Sequence, residues 1–295
     1  MLNPTQISAL SRIFSAAVFS EMALKGYSAL FTRLLWESEL LPDFSRSETT
    51  IGDAFDSAFT LLRKSGIRNE YVYRAALTHN LLLGKHSLRT ASLLTEFRIG
   101  SCKADMIILN GTGTVYEIKS DRDSLVRLDN QIINYKKAFS KIYVIAGSAH
   151  IDEILDKTPK DIGVLKLVRW NRISTIREAI ENTESICSST ICESLRLQES
   201  LEVLNDLGID IPQVSNIKIR GVIKDLFADL DPKVVHQSMI KTLKRTRNLA
   251  PLRELLAQLP KALQPAALSA QLRTKDHERL IKTLNQPLDE ALKWV

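Results

Sequence analysis

Residues 104–120 read ADMIILNGTGTVYEIKS, and the fold turns on how the two apolar runs in this stretch are joined. Ala104–Leu109 and Thr114–Ile118 are short and β-prone, and NGTGT between them supplies residues that tolerate positive φ, so the stretch reads as a β-hairpin. Side chains two apart on a strand share a face, so Glu117 and Lys119 project together while the alternation sends Ile118 to the core. The hairpin lays the strand headed by Asp105 alongside and brings this acid next to Glu117, although the two are twelve residues apart. Charges flanking apolar strands must be solvated, paired or gathered round a metal, because burying one unpaired is costly. Two carboxylates with water and phosphate oxygens suit a hard divalent ion such as magnesium. An adjacent ammonium can orient the attacking water and offset charge growing on a phosphate.

Outward from the hairpin, Thr95–Ile99 is a third β-prone run and completes an antiparallel meander. DSLVRLDNQIINYKKAF (123–139) then places Leu125, Leu128, Ile132, Ile133 and Phe139 on one helical face. KIYVIAGS (141–148) reads as a continuous apolar strand and VLKLVRW (164–170) as one more, with no strand pattern after Ile173. The order helix, three strands, helix, strand, strand predicts an α/β fold, a mixed sheet flanked by helices.

Both ends of the chain read as helical. From Pro4 to about Trp36 the residues Leu10, Ile13, Phe14, Val18 and Met22 recur as one face of a helix or helix pair, and helical spacing resumes at Asp53, with a break near Gly66. From about Ser185 the pattern is helical to the end. The division expected from these shifts is 1–60, 61–180 and 181–295.

Composition narrows the partners. Forty Lys and Arg against 34 Asp and Glu give a net charge of +6, which suits a polyanion without naming one. The three cysteines, Cys102, Cys187 and Cys192, lack zinc-finger spacing and imply no disulfide framework, as expected of reduced thiols in a cytoplasmic protein. No apolar stretch approaches the roughly 20 residues of a membrane span, so a membrane is not an expected partner.

The aspartate before an apolar strand, followed by Glu-x-Lys at the end of the next, resembles the PD-(D/E)XK nuclease superfamily, the restriction-endonuclease-like fold. Ala104 stands where that motif often has proline. Gln131 and Tyr135, one helical turn apart, match the Q-x3-Y signature of the RecB and lambda-exonuclease branch. TEFRIGSCKADMIILNG (95–111) and YEIKSDRDSLVRLDNQIINY (116–135) further resemble a bacterial family with an EIKSD core. The resemblance implies a DNA nuclease dependent on Mg2+ or Mn2+ that leaves 5′-phosphate ends. In that comparison Asp105, Glu117 and the Ile118 carbonyl hold the metal, Lys119 positions water, and Gln131 and Tyr135 support the site. Its first acidic position falls on Glu96, with Glu70 on the preceding helix as the alternative. Arg122 and Arg127 are expected to meet backbone phosphate or to pair with the neighbouring aspartates.

One further stretch stands out. SLEVLNDLGIDIPQVSNIKIRGVIKDLFADL (200–230) reads as helix, Gly208 stop, extended link and a second helix bearing Lys218, Arg220 and Lys224. It resembles the helix-extended-helix of SAP-type DNA-binding modules, and an ordinary helical hairpin fits the pattern equally. Two functional classes therefore stand side by side. One is a metal-dependent nuclease, and a homodimer would supply the two sites that duplex cleavage needs. The other is a catalytically inactive nucleic-acid- or protein-binding module of a phage-defence or mobile-element system, working with a protein partner.

Overall fold

A computed structural model describes residues 2–39, 49–64, 68–270 and 272–294, and the chain divides into two units. The first comprises residues 1–81, 169–172 and 250–295, and the second residues 82–168 and 173–249. This differs from the expected boundaries near residues 60 and 180. The last 46 residues group with the N-terminal helices, and no local change in composition marks such a long-range association. The break expected near Gly66 lies outside the described residues.

The first unit begins with three helices where the sequence suggested one or two, α1 (Pro4–Ile13), α2 (Ala16–Lys25) and α3 (Ala29–Ser38). Side-chain caps from Asn3, Ser15 and Ser28 start them, and Gly26, at φ 81°, ends the second. Helices α4 (Ile51–Leu62) and α5 (Glu70–Leu77) follow. Among the described residues no single helix is long and apolar enough to cross a membrane; α1 and α2 pass together on length and composition, but they bend by 43° and most of their large apolar residues, Leu24 excepted, are buried. Aromatic pairs join the aliphatic core of the unit: Phe14 stacks on Tyr71 with centroids 4.5 Å apart, and Phe31 on Phe55 at 4.9 Å.

The second unit is built on a sheet whose strands lie in chain order. These are β1 (Ser92–Ile99), β2 (Cys102–Leu109), β3 (Gly113–Lys119), β4 (Lys141–Ala146), β5 (Gly163–Leu167) and β6 (Ile173–Arg177). The first three form the expected antiparallel meander. Helix α6 (Leu128–Lys136) carries the chain to β4, parallel to β3, and α7 (Ile151–Lys157) carries it to β5, parallel to β4. Strand β6 returns antiparallel to β5. The sheet is thus mixed, with helices flanking it and helical regions at both ends of the chain.

Two elements depart from expectation. β5 ends at Leu167, with residues 169–171 in a 3-10 turn, and β6 follows where no strand was expected. ISTIR carries its burial signal weakly because β6 is an edge strand, with Thr175 and Ile176 exposed.

Five elements complete this part of the chain's helical architecture: α6 with α8 (Ser188–Ser194), α9 (Leu197–Asp206), α10 (Ile219–Ala228) and α11 (Pro232–Thr246). They share one apolar cluster with the sheet, in which Leu94, Ile107, Leu109, Val115 and Val144 meet Leu128, Ile132, Tyr135, Leu204, Phe227 and Met239. Gly208, at φ 70°, follows the end of α9, and a link without regular secondary structure, closed by a turn at 216–218, leads to α10. The chain then re-enters the first unit through α12 (Arg253–Gln258), α13 (Gln264–Ser269), α14 (Thr274–Leu284) and α15 (Leu288–Ala291).

Candidate active site

The β2–β3 register ends at Met106 opposite Tyr116. One residue beyond that pair, the Asp105 carboxylate takes over the work of the ladder and accepts the Ile118 N–H at 2.7 Å. In an extended strand the N–H and C=O of a residue leave on the same side. The Ile118 carbonyl therefore lies toward Asp105.

On β3, Val115, Glu117 and Lys119 share the face that packs against α6. Glu117 and Lys119 are accordingly buried, at 1% and 6% exposure, rather than standing on a solvated face. They neutralise one another: Lys119 Nζ lies 3.0 Å from Glu117 Oε1. Helix α6 supplies the rest of the shell. The Lys119 ammonium donates to Gln131 Oε1 at 2.7 Å, and the Gln131 amide donates in turn to Glu117 Oε1. The Tyr135 hydroxyl lies 2.8 Å from Glu117 Oε2 and 2.7 Å from the Lys103 carbonyl. All four side chains singled out at the end of β3 and on α6 thus meet in one hydrogen-bonded array. The Lys103 carbonyl is an addition that no side-chain motif announces, because only its backbone takes part.

Burial pushes the Glu117 carboxyl above its ordinary value, against the pull of the Lys119 ammonium and the Tyr135 and Gln131 hydrogen bonds. Burial and the adjacent Glu117 carboxylate raise the Tyr135 hydroxyl far beyond the ordinary tyrosine range, so it serves as a neutral donor.

Glu96 enters from the other side of Asp105. Thr95 pairs with Met106 and Phe97 with Ala104, a register that sets Glu96 opposite Asp105. Core-facing residues skip a step on both strands here, running Leu94 to Phe97 on β1 and Ala104 to Ile107 on β2. Glu96 absorbs the irregularity in a left-handed conformation, φ 52°. Such a conformation is costly for a residue with a Cβ. Carboxylate oxygens of Glu96 and Asp105 come within 4.8 Å of one another. Like charges placed opposite on a sheet repel. An all-oxygen pair this close fits a hard divalent cation, and Lys103, 3.9 Å from Glu96, offsets part of the charge at the exposed rim. Glu70, the alternative to Glu96, belongs to α5 of the first unit, where it pairs with Arg74.

The remaining positions lie outside this array. Arg122 and Arg127 are exposed in the segment between Lys119 and α6. Lys218 and Arg220 are exposed at the start of α10, and Lys224 forms an ion pair with Glu193 at 2.6 Å. His86 lies 3.0 Å from the Asn110 side chain beside the hairpin turn. His79, in the first unit, is held below the ordinary histidine range by burial.

Comparison with known proteins adds a family to this geometry. A family model described as Bacteriophage P4 protein cII matches residues 63–269. The chain is similar to Protein cII of Enterobacteria phage P4, with 29% identity over 169 residues. That match takes in 55% of this chain and 62% of the relative, so the chain spans under two thirds of the relative's length. A solved structure, the SPO1766 protein of unknown function from Silicibacter pomeroyi, is similar at 19% identity over 37% of this chain and 69% of that one. Its TM-score is 0.29, too low to bear on the fold.

Proposed function

This chain belongs to the bacteriophage P4 protein cII family, and we propose that it is a metal-dependent DNA nuclease that hydrolyses phosphodiester bonds and leaves 5′-phosphate ends. The observation that carries this reading is the buried Lys119 ammonium, fixed between Glu117 at 3.0 Å and Gln131 at 2.7 Å on the strand next to Asp105. The resemblance of the sequence motifs around it to those of PD-(D/E)XK nucleases supplies the reaction class. A magnesium or manganese ion, held by Asp105, Glu96, Glu117 and the Ile118 carbonyl, would supply Lewis acidity toward a phosphate oxygen.

The protein's own residues carry the remaining tasks. Lys119 orients the attacking water and offsets charge growing on the phosphate. Gln131 holds the Lys119 ammonium in place, and the Tyr135 hydroxyl, between Glu117 and the Lys103 carbonyl, offers the carboxylate its single proton. Because these partners are locked before substrate arrives, little reorganisation is needed during reaction.

The test is cleavage of labelled circular, linear and single-stranded DNA with magnesium, manganese or chelator, with Lys119→Ala purified in parallel. Metal-dependent cutting by the parent protein and a loss of about 100-fold or more in the variant are expected. Equal rates in the two proteins would sink the mechanism.

A second reading has its own observation. Both Glu117 oxygens are already satisfied by Lys119, Gln131 and Tyr135, a state that needs no metal. The array would then be a buried polar brace in a binding module, and the similarity to a phage protein suits the mobile-element setting of that alternative. Calorimetric titration with Mn2+ separates the two, since a brace gives no saturable heat that Asp105→Asn abolishes.

A further inference from the structure

The segment joining Lys119 to α6 presents an unusual surface. Val126 is 85% exposed, while Leu125 and Leu128 on either side are buried at 6% and 0%. Successive turns fix it there. The Asp123 carboxylate accepts the Ser120 N–H at 2.7 Å, Val126 N–H donates to Ser124 Oγ at 3.3 Å, and Leu128 N–H donates to the Leu125 carbonyl at 3.0 Å. The segment starts one residue after Lys119 and leads into Gln131, whose N–H donates to the Arg127 carbonyl at 3.0 Å. The segment is thus joined in sequence to both members of the Lys119–Gln131 pair. Arg122 and Arg127 flank the valine, both exposed and, among the described residues, neither in an ion pair. Lys224 and Arg245, by contrast, are held in ion pairs, Lys224 with Glu193 and Arg245 with Glu202 and Asp206.

Two exposed guanidiniums without an ion pair suit an anionic partner, and the phosphates of a nucleic-acid strand are one. An aliphatic side chain held out between them gains nothing from phosphate and cannot hydrogen-bond to a base edge. Its favourable contact is apolar surface, and in an intact duplex the base faces are hidden by stacking. In an unpaired strand those faces are open. Resting on the nuclease reading above, we propose that residues 122–127 grip single-stranded DNA, with Arg122 and Arg127 on the backbone and Val126 against the face of an unstacked base. The substrate class is then an unpaired strand or frayed end in preference to intact duplex.

The test measures binding rather than cleavage. Fluorescence anisotropy of the full chain, in chelator, compares a labelled 20-nucleotide single strand with the blunt duplex of the same sequence. The variants are Val126→Thr, which keeps the shape and adds a hydroxyl, Arg122→Ala and Arg127→Ala. The expected result is tighter binding of the single strand, a loss of about fivefold on it for Val126→Thr, and duplex affinity unchanged within about twofold. Each arginine variant should weaken both ligands and lower the salt slope by about one. An unchanged ratio of single-strand to duplex affinity in Val126→Thr, or a parent protein that prefers duplex, overturns the inference and leaves the nuclease reading standing. Failure of the parent protein to bind either DNA removes the nuclease reading with it. The exposed position of Val126 makes misfolding of the threonine variant a small risk, and thermal unfolding of each variant checks it.

Discussion

The Asp105 carboxylate accepts the Ile118 N–H at 2.7 Å, one step past Met106 opposite Tyr116, the last pair of the β2–β3 ladder. A side chain thus stands in for a backbone carbonyl at the point where the strands part. Asp105→Ala should leave that N–H without its partner and cost about 1–3 kcal/mol. Asp105→Asn keeps an acceptor oxygen and should stay within about 1 kcal/mol of the parent, while its affinity for divalent ions collapses. Urea unfolding beside Mn2+ titration checks both halves, and equal destabilisation by the two substitutions would contradict the account.

Glu117 and Lys119 stand 3.0 Å apart with almost no exposure. Removing one charge from a buried pair strands the other, so Lys119→Met should destabilise the fold by about 3 kcal/mol. Glu117→Gln placed in the same chain removes the stranded charge and should recover much of that loss. A double-mutant cycle in urea measures the coupling; a cycle that closes to zero would show the pair to be energetically independent.

Gly113 opens the strand that carries both residues. A Cβ built there would run into Ile240 Cδ1 and would meet Phe139 Cδ1 at 2.6 Å, two side chains of the shared core. Gly113→Ala should therefore cost about 1–3 kcal/mol through overpacking, although alanine suits a strand no worse than glycine. A midpoint of urea unfolding equal to the parent's would refute that packing.

Glu199 on α9 ties that helix to the end of α11. Burial works to raise its carboxyl pKa, but the Arg247 guanidinium at 2.7 Å, the Arg196 N–H at 2.9 Å and the Thr246 hydroxyl outweigh it and hold the group below its ordinary 4.5. With a folded value below the unfolded one, the stabilisation is complete above about pH 4.5 and is lost as pH falls toward the folded value. Glu199→Gln should lower stability at neutral pH and flatten the acid limb between pH 5 and 3, on the order of those limits. Parallel acid limbs in the two proteins would argue against it.

The hairpin, the Glu117–Lys119 alternation and the Gln131–Tyr135 spacing were legible because each is a local pattern, period two or one helical turn. The left-handed φ of Glu96 was not, since glutamate is the last residue type to signal it and the cause lies in the register of β1 on β2. Nor was the burial of Glu117 and Lys119, because the helix that covers them comes later in the chain. Strand β6 escaped because Ser174, Thr175 and Arg177 interrupt its apolar content at an edge. Helix α7, seven residues long, is too short for its periodicity to register.

The first unit draws its helices from residues 1–81 and from 250 onward, with all but four residues of the intervening chain given to the second. During synthesis the ribosome therefore releases α1–α5 long before α12–α15 exist to join them, whereas the sheet and its helices are complete once residue 249 has emerged. Domains commonly fold in the order they are made. Here the order runs the other way: the N-terminal helices wait, and the sheet that carries Asp105, Glu117 and Lys119 is the part of the newborn chain able to fold first.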